Sequence, residues 1–182
     1  EEIKKAVEDV GGLVEMTSKY HESGTDRVAE VASRFDDDAI ILNVQGDLPQ
    51  FEPNIGSCLI ETLKKRESIE IATPVRAETS EYEMRNPNNV KAIFDLDGRA
   101  LFFSRFPIGA GNNLWFRHIG VYAYHNRALQ QLSNFAPTAL EKVEKLEQMR
   151  ALEYAFNFHC MVTIDNCGAD INVPDDLRRI NE

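Results

Sequence analysis

The sequence predicts an α/β layered fold on a mixed sheet, and three observations carry that expectation. Apolar runs of strand length alternate with amphipathic helical stretches early in the chain, and a hairpin pattern occupies residues 90–104. The 182 residues, 43% hydrophobic and 27% charged, suffice for one domain with a substantial core and contain no repeat or low-complexity segment.

Taken in order, Glu1 to Val10 reads as an amphipathic helix with Ile3, Val7 and Val10 inward and Gly11-Gly12 as its stop. Leu13 to Met16 is a short strand candidate. Thr25-Asp26 cap a helix whose inner face is Val28, Val31, Ala32 and Phe35. After a turn at 36–38, residues 39–44 form an apolar run of the kind expected for a strand covered on both faces. Pro53 opens a helix to about Lys65, with Ile55, Leu59, Ile60 and Leu63 inward, and Ile69 to Val75 is a strand. Val90 to Asp95 and Arg99 to Ser104 flank a turn at Leu96-Asp97-Gly98. His118 to Tyr124 is a strand, 138–156 one long helix, and Phe158 to Ile164 the last strand, with Pro174 starting a closing helix. A helix with no strand before it leads us to expect missing N-terminal sequence.

The net charge of −10 argues against a nucleic-acid surface. An anionic substrate must therefore meet a local cluster of Arg and Lys, or a metal. Cys58, Cys160 and Cys167 lack zinc-site spacing and are expected as reduced thiols. No apolar stretch approaches the roughly 18 residues of a membrane span, and neither insertion nor a signal peptide is expected.

Five stretches can carry chemistry. In Asn43-Val44-Gln45-Gly46-Asp47-Leu48-Pro49, a carboxylate stands just past a buried strand, with Gly46 letting the backbone turn closely. Asp47 is either a ligand for a hard cation or a turn residue satisfying nearby amides. In His21-Glu22-Ser23-Gly24-Thr25-Asp26-Arg27, a loop running into a helix N-terminus offers amides to an anion, with Arg27 adding a guanidinium; an ordinary cap explains it equally well. Lys91 and Arg105 each lie near the end of an element, where a solvated surface charge is the default, and Pro107 places Arg105 at a strand mouth. Period two puts His118, Gly120, Tyr122 and Tyr124 on one strand face, opposite Ile119, Val121 and Ala123. That face suits a hydroxylated ligand or a satisfied half-buried core. In the 138–156 helix Glu141–Lys145 is a stabilising i,i+4 pair, and Glu147 shares a largely apolar stripe with Leu140, Val143 and Tyr154.

In this order the segments HESGTDR, NVQGDLP, NPNNVKAIFDLDGRALFFSRFPI, RHIGVYAYH and LEKVEKLEQMRALE resemble the 3-deoxy-manno-octulosonate (KDO) cytidylyltransferase family over about 7–180. The resemblance implies one three-layer domain over 1–182, like the nucleotide-diphospho-sugar transferases (Rossmann-like), with a mixed sheet and a hairpin lobe at about 86–136 for sugar binding and dimerisation. It also implies a cytoplasmic, Mg2+-dependent homodimer that couples CTP and KDO to give CMP-KDO and pyrophosphate for lipopolysaccharide synthesis. By motif position Asp47 holds Mg2+, and Ser23, Gly24, Arg27 and Gln45 lie around the nucleotide. Arg105, His118, Tyr122, Glu147 and Gln148 line the sugar-acid pocket. Arg105 pairs the KDO carboxylate, and Asp47 and Arg105 carry the catalysis.

Three departures stand out. The family's N-terminal Gly/Arg/Lys loop for the triphosphate is missing from the sequence, so weak or absent CTP turnover is expected. The family's second metal-binding Asp falls on Asn172, with Asp170 the nearby substitute, and Leu48 stands where the family usually has Glu. A non-catalytic sugar-acid-binding or dimerising relative, or a cytidylyltransferase for another 2-keto sugar acid, remains open at this point.

Overall fold

The computed structural model describes residues 2–21, 23–108 and 114–164. In chain order its elements are α1 (Glu2–Asp9), α2 (Gly24–Ala32), β1 (Ile40–Val44), α3 (Pro53–Lys65), β2 (Ile71–Glu78), α4 (Glu81–Arg85), β3 (Lys91–Phe94) and β4 (Ala100–Ser104). There follow β5 (Trp115–His118), β6 (Val121–His125), α5 (Asn126–Ser133), α6 (Ala139–Glu144), α7 (Gln148–Glu153) and β7 (Phe158–Thr163).

Seven strands form one mixed sheet centred on β2. Strand β7 runs parallel to β2, while β6 and then β5 pair antiparallel with it. Strand β1 pairs antiparallel with β6, and β3 joins β5 to the β4 hairpin. Alternation along β6 serves two layers. Val121 and Ala123 pack under α3 with Ile55, Leu59 and Leu63, while Tyr122 and Tyr124 pack on the opposite side with Ala29, Leu129 and Met149. Each fully buried side chain of this kind contributes about 1.5–3 kcal/mol. Pro53 at the first position of α3 and Lys64 and Lys65 in its last turn suit the orphan amides and the dipole of that helix.

Several expectations need correcting. No residue of α1 is buried: Ile3 and Val10 are exposed, and Leu13 to Met16 forms no strand. Nothing among the described residues covers that apolar face. The cap of α2 is Ser23, not Thr25, and Phe35 is exposed beyond the helix end. Strand β1 is only half-buried, because it is the last strand at its end of the described sheet. The 118–124 strand is two strands, broken at Ile119-Gly120. The long helix is also two, α6 and α7, separated by Lys145 in the left-handed region at φ 56°. Helices α4 and α5 are not among the sequence expectations, although Ser80-x-x-Glu83 caps the first and the spacing of Ala128, Leu129 and Leu132 marks the buried face of the second. The hairpin turn is as expected: Gly98 has φ 83°, and its Cβ position lies 2.3 Å from the His159 ring, so only glycine lets the turn rest on β7.

Candidate active site

A cleft of about 570 Å³ opens beyond the carboxyl end of β1. Its walls include Gly24, Arg27, Gln45, Asp47, Arg105, His118, Tyr122, Glu147 and Gln148, contributed by the α2 N-terminus, the turn after β1, the end of β4, the β5–β6 break and the α6–α7 junction. Of the described site residues read from sequence, only Ser23 is not on the wall. Asn172 and Asp170 lie outside the described residues, as do Cys167 and the expected closing helix.

Strand β1 delivers Gln45 to Asp47. Val44 pairs with Val121, so Gln45 lies opposite Gly120, where a Cβ would come within 3.2 Å of the Gln45 amide oxygen. A side chain at Gly120 would crowd that amide. Gly46 is not needed for a close approach, since a Cβ there would meet nothing within 4 Å. Leu48 is buried beside Ile55 and Leu59 and anchors the turn to the core. Asp47 Oδ1 is buried without a hydrogen-bond partner among the described residues. A turn carboxylate satisfying nearby amides would not leave that atom orphaned. An unsatisfied buried acceptor costs about 1–3 kcal/mol, which a cation would offset.

The α2 N-terminus is already occupied by a side chain. Glu147 accepts from the Gly24 amide (3.2 Å), the Thr25 amide (3.1 Å) and Thr25 Oγ1 (2.6 Å). Ser23 Oγ accepts from the Asp26 amide (3.1 Å), which leaves its hydroxyl proton free to donate. Arg27 is held on Thr17 Oγ1, the Ser18 carbonyl and the His21 carbonyl, so it ties the preceding loop to α2.

The β5–β6 break brings His118 against Thr73. The Thr73 hydroxyl has one proton and lies 2.8 Å from the Val121 carbonyl, which can only accept. That hydroxyl must then accept from His118 Nε2–H (2.9 Å), which fixes the imidazole tautomer. Burial, with Arg117 adding to it, brings the His118 pKa down to about 3. His118 is therefore a neutral hydrogen-bonding group. Burial raises the phenol pKa of Tyr122 and Tyr124, so both stay protonated. Burial likewise pushes the Cys160 thiol up to about 12, an inert core group.

Arg105 projects from the end of β4. Its guanidinium donates to the Pro87 carbonyl (3.1 Å) and more distantly to the Lys145 carbonyl (3.4 Å), and it makes no ion pair among the described residues. Its positive charge is therefore not neutralised by a carboxylate. Lys91, expected as a solvated charge, is only 2% exposed and donates to the Asn86 and Arg105 carbonyls. The supposed Glu141–Lys145 pair is absent. Glu141 is buried and binds Arg150 through two hydrogen bonds (2.9 and 2.6 Å), with Asp26 of α2 3.8 Å from the same guanidinium. Leu140, Val143 and Tyr154 are largely exposed, so the expected stripe is not the buried face of α6 and α7. Among the described residues no three His, Cys, Asp or Glu groups are placed to hold a metal; of the two carboxylates on the cleft wall, Glu147 is engaged by Gly24 and Thr25, and Asp47 keeps an oxygen with no partner among the described residues. That donor set fits Mg2+, which takes one or two carboxylates and fills the rest of its shell with phosphate oxygens and water.

The mixed sheet with a cleft at the strand ends is the fold of the nucleotide-diphospho-sugar transferases, as two solved neighbours show. A putative glucose-1-phosphate thymidylyltransferase from Bacillus anthracis, 9% identical, superposes with a TM-score of 0.62 over 99% of this chain and 70% of its own, which speaks to the fold alone. A solved CMP:2-keto-3-deoxy-manno-octonic acid synthetase complexed with CTP, 32% identical, superposes with a TM-score of 0.89 over 98% of this chain and 75% of its own. A family model described as cytidylyltransferase matches residues 1–162. The 3-deoxy-manno-octulosonate cytidylyltransferase of Geobacter sulfurreducens is 39% identical, over 99% of this chain and 77% of the relative. That of Geotalea uraniireducens is 38% identical, over 100% and 78%. The chain belongs to the cytidylyltransferase family, among the 3-deoxy-manno-octulosonate cytidylyltransferases.

Proposed function

We propose that this chain transfers CMP from CTP to KDO, releasing pyrophosphate. One observation carries the proposal: a single cleft holds both an Asp47 carboxylate oxygen without a hydrogen-bond partner and an Arg105 guanidinium without a counter-ion among the described residues. The first suits the metal that accompanies a triphosphate, and the second an acid sugar.

The residues then take these roles. Arg105 pairs the KDO carboxylate. Gln148 and the remaining acceptor capacity of Glu147 bind its hydroxyls, and neutral His118 and protonated Tyr122 shape the same wall. Gln45, Gly24 and Arg27 surround the nucleotide, and Ser23, just off the cleft wall, keeps a hydroxyl proton to offer beside them. Asp47 holds Mg2+, with the segment of Asn172 and Asp170 as its proposed neighbour; when bound, the metal neutralises charge on the phosphates. The anomeric oxygen of KDO forms a bond to the α-phosphorus, the bond to pyrophosphate breaks with its electron pair going to the pyrophosphate oxygen, and the hydroxyl proton passes to solvent. An imidazole held near 3 is too weak to take that proton, so His118 orients rather than deprotonates.

A cytoplasmic homodimer belongs to the same proposal. The hairpin lobe presents Leu101, Phe106 and Leu114 to solvent, each more than half exposed, as an apolar surface for a second copy. No helix among the described residues is long and apolar enough to cross a membrane. The deciding assay is pyrophosphate release with CTP, KDO and Mg2+, together with calorimetric binding of each ligand. Saturable KDO binding that is lost in Arg105→Ala is expected. Preference for another 2-keto acid, or KDO binding indifferent to Arg105, would overturn the assignment.

A further inference from the structure

We infer that Lys91 and Glu144 are positioning residues that hold the Arg105 backbone at its carbonyl and its amide, on either side of the Cα, and thereby set sugar-acid affinity. The inference rests on Arg105 as the partner of the substrate carboxylate.

The geometry is a closed frame. The Arg105 amide donates to Glu144 Oε2 (3.1 Å), which also accepts from Ser104 Oγ (3.1 Å). The Arg105 carbonyl accepts from Lys91 Nζ (2.8 Å), whose second bond goes to the Asn86 carbonyl (2.9 Å). The guanidinium of Arg105 lands beside those same anchor points. It takes the carbonyl of Pro87, one residue after Asn86, and that of Lys145, one residue after Glu144. Both ends of the side chain are thus fixed to the same two segments, the 86–87 turn and the end of α6.

Stability alone does not account for this arrangement. Lys91 is 2% exposed and Glu144 9% exposed, and neither makes an ion pair among the described residues. Burying such charges is costly, and apolar side chains of similar volume would serve the core better. What the two charges do achieve is to hold the two peptide planes that flank the Arg105 Cα, where a strand ends and the cleft begins. Pro107 removes a backbone donor two residues later, so side chains must take over the work of the ladder there.

The break between α6 and α7 belongs to the same device. Lys145 adopts φ 56°, which turns the chain after Glu144 and leaves the Lys145 carbonyl for Arg105. A continuous helix would engage that carbonyl in its own ladder.

The test is the calorimetric dissociation constant for KDO, with that for CTP measured on the same preparations and thermal melting as the check on folding. Lys91→Met and Glu144→Ala should each weaken KDO binding about tenfold or more and leave CTP within about twofold. Glu144→Gln keeps an oxygen that accepts from the Arg105 amide, so KDO binding should return to within about threefold of wild type. If Arg105→Ala weakens KDO binding while Lys91→Met and Glu144→Ala do not, the frame is refuted and the role of Arg105 stands. If Arg105→Ala leaves KDO binding unchanged, the underlying substrate assignment fails instead. Equal loss of both ligands in folded Lys91→Met and Glu144→Ala, or no recovery in Glu144→Gln, would reduce the frame to general scaffolding and overturn it.

Discussion

Burying an ammonium makes the stability of this protein rise with pH in a window where most proteins gain nothing. Lys91 is 2% exposed, and desolvation, followed by the nearby Arg105 charge, brings its pKa from 10.5 down to about 8. Below pH 8 both folded and unfolded chains carry the proton, and the full burial cost is present. Between about 8 and 10.5 the unfolded chain holds the proton and the folded chain has released it, so unfolding free energy climbs with pH. The slope approaches roughly 1.4 kcal/mol per pH unit, and integration from pH 7 to 9.5 gives about 2 kcal/mol. Tyr122, Tyr124 and Cys160 titrate in the opposite sense, because their folded pKa values are raised, and Cys160 begins to do so near pH 9; the comparison therefore stops at 9.5 and is made between wild type and a Lys91 variant, in which these groups cancel. Urea unfolding of wild type and Lys91→Met at both pH values isolates the effect. The wild-type-minus-variant difference should shift by about 2 kcal/mol in favour of wild type at the higher pH. A difference that stays constant within about 0.5 kcal/mol would mean that Lys91 titrates as a hydrated amine, and the burial argument would be wrong.

Three further outcomes follow from named contacts. Arg150→Met leaves the buried Glu141 carboxylate without its double partner and should cost about 3–5 kcal/mol in denaturant unfolding. Asp47→Asn should abolish any Mg2+-induced rise in melting temperature yet leave the metal-free protein no less stable, because Oδ1 has no partner among the described residues to lose. Gly98→Ala forces a side chain into a left-handed turn and against His159, and should lower stability by about 1–3 kcal/mol, seen as a lower urea midpoint with unchanged slope.

What could be read from sequence was whatever short-range pattern decides. The α3 face, the β3–β4 hairpin with its Asp-Gly turn, and the two-residue period of the 118–124 segment all depend on near neighbours. That period survives the break at Ile119-Gly120, since His118, Tyr122 and Tyr124 still line one cleft while Ile119, Val121 and Ala123 pack under α3. The motif segments likewise converge as the family resemblance implied, although the chemistry at each atom had to come from the fold.

The α6–α7 junction was not legible, for a physical reason. Leu140, Glu141, Lys142, Glu144, Lys145, Leu146 and Glu147 are good helix formers and Glu141–Lys145 is an i,i+4 pair, so local propensity favours continuation. The competing contacts lie far away in the chain: Glu144 to Ser104 and the Arg105 amide, and Glu147 to Gly24 and Thr25. Glu141 turns instead to Arg150 across the break itself. Losing an exposed i,i+4 pair costs about 0.2–0.5 kcal/mol, whereas each charge-assisted hydrogen bond to a buried carboxylate contributes about 1.5–3 kcal/mol. Three acids on one apparent helix are thus drawn to three different partners, and the helix yields. Lys91 was misjudged by the same mechanism. Nothing in Val90-Lys91-Ala92 announces burial, because the two carbonyls that hold the ammonium come from residues 86 and 105.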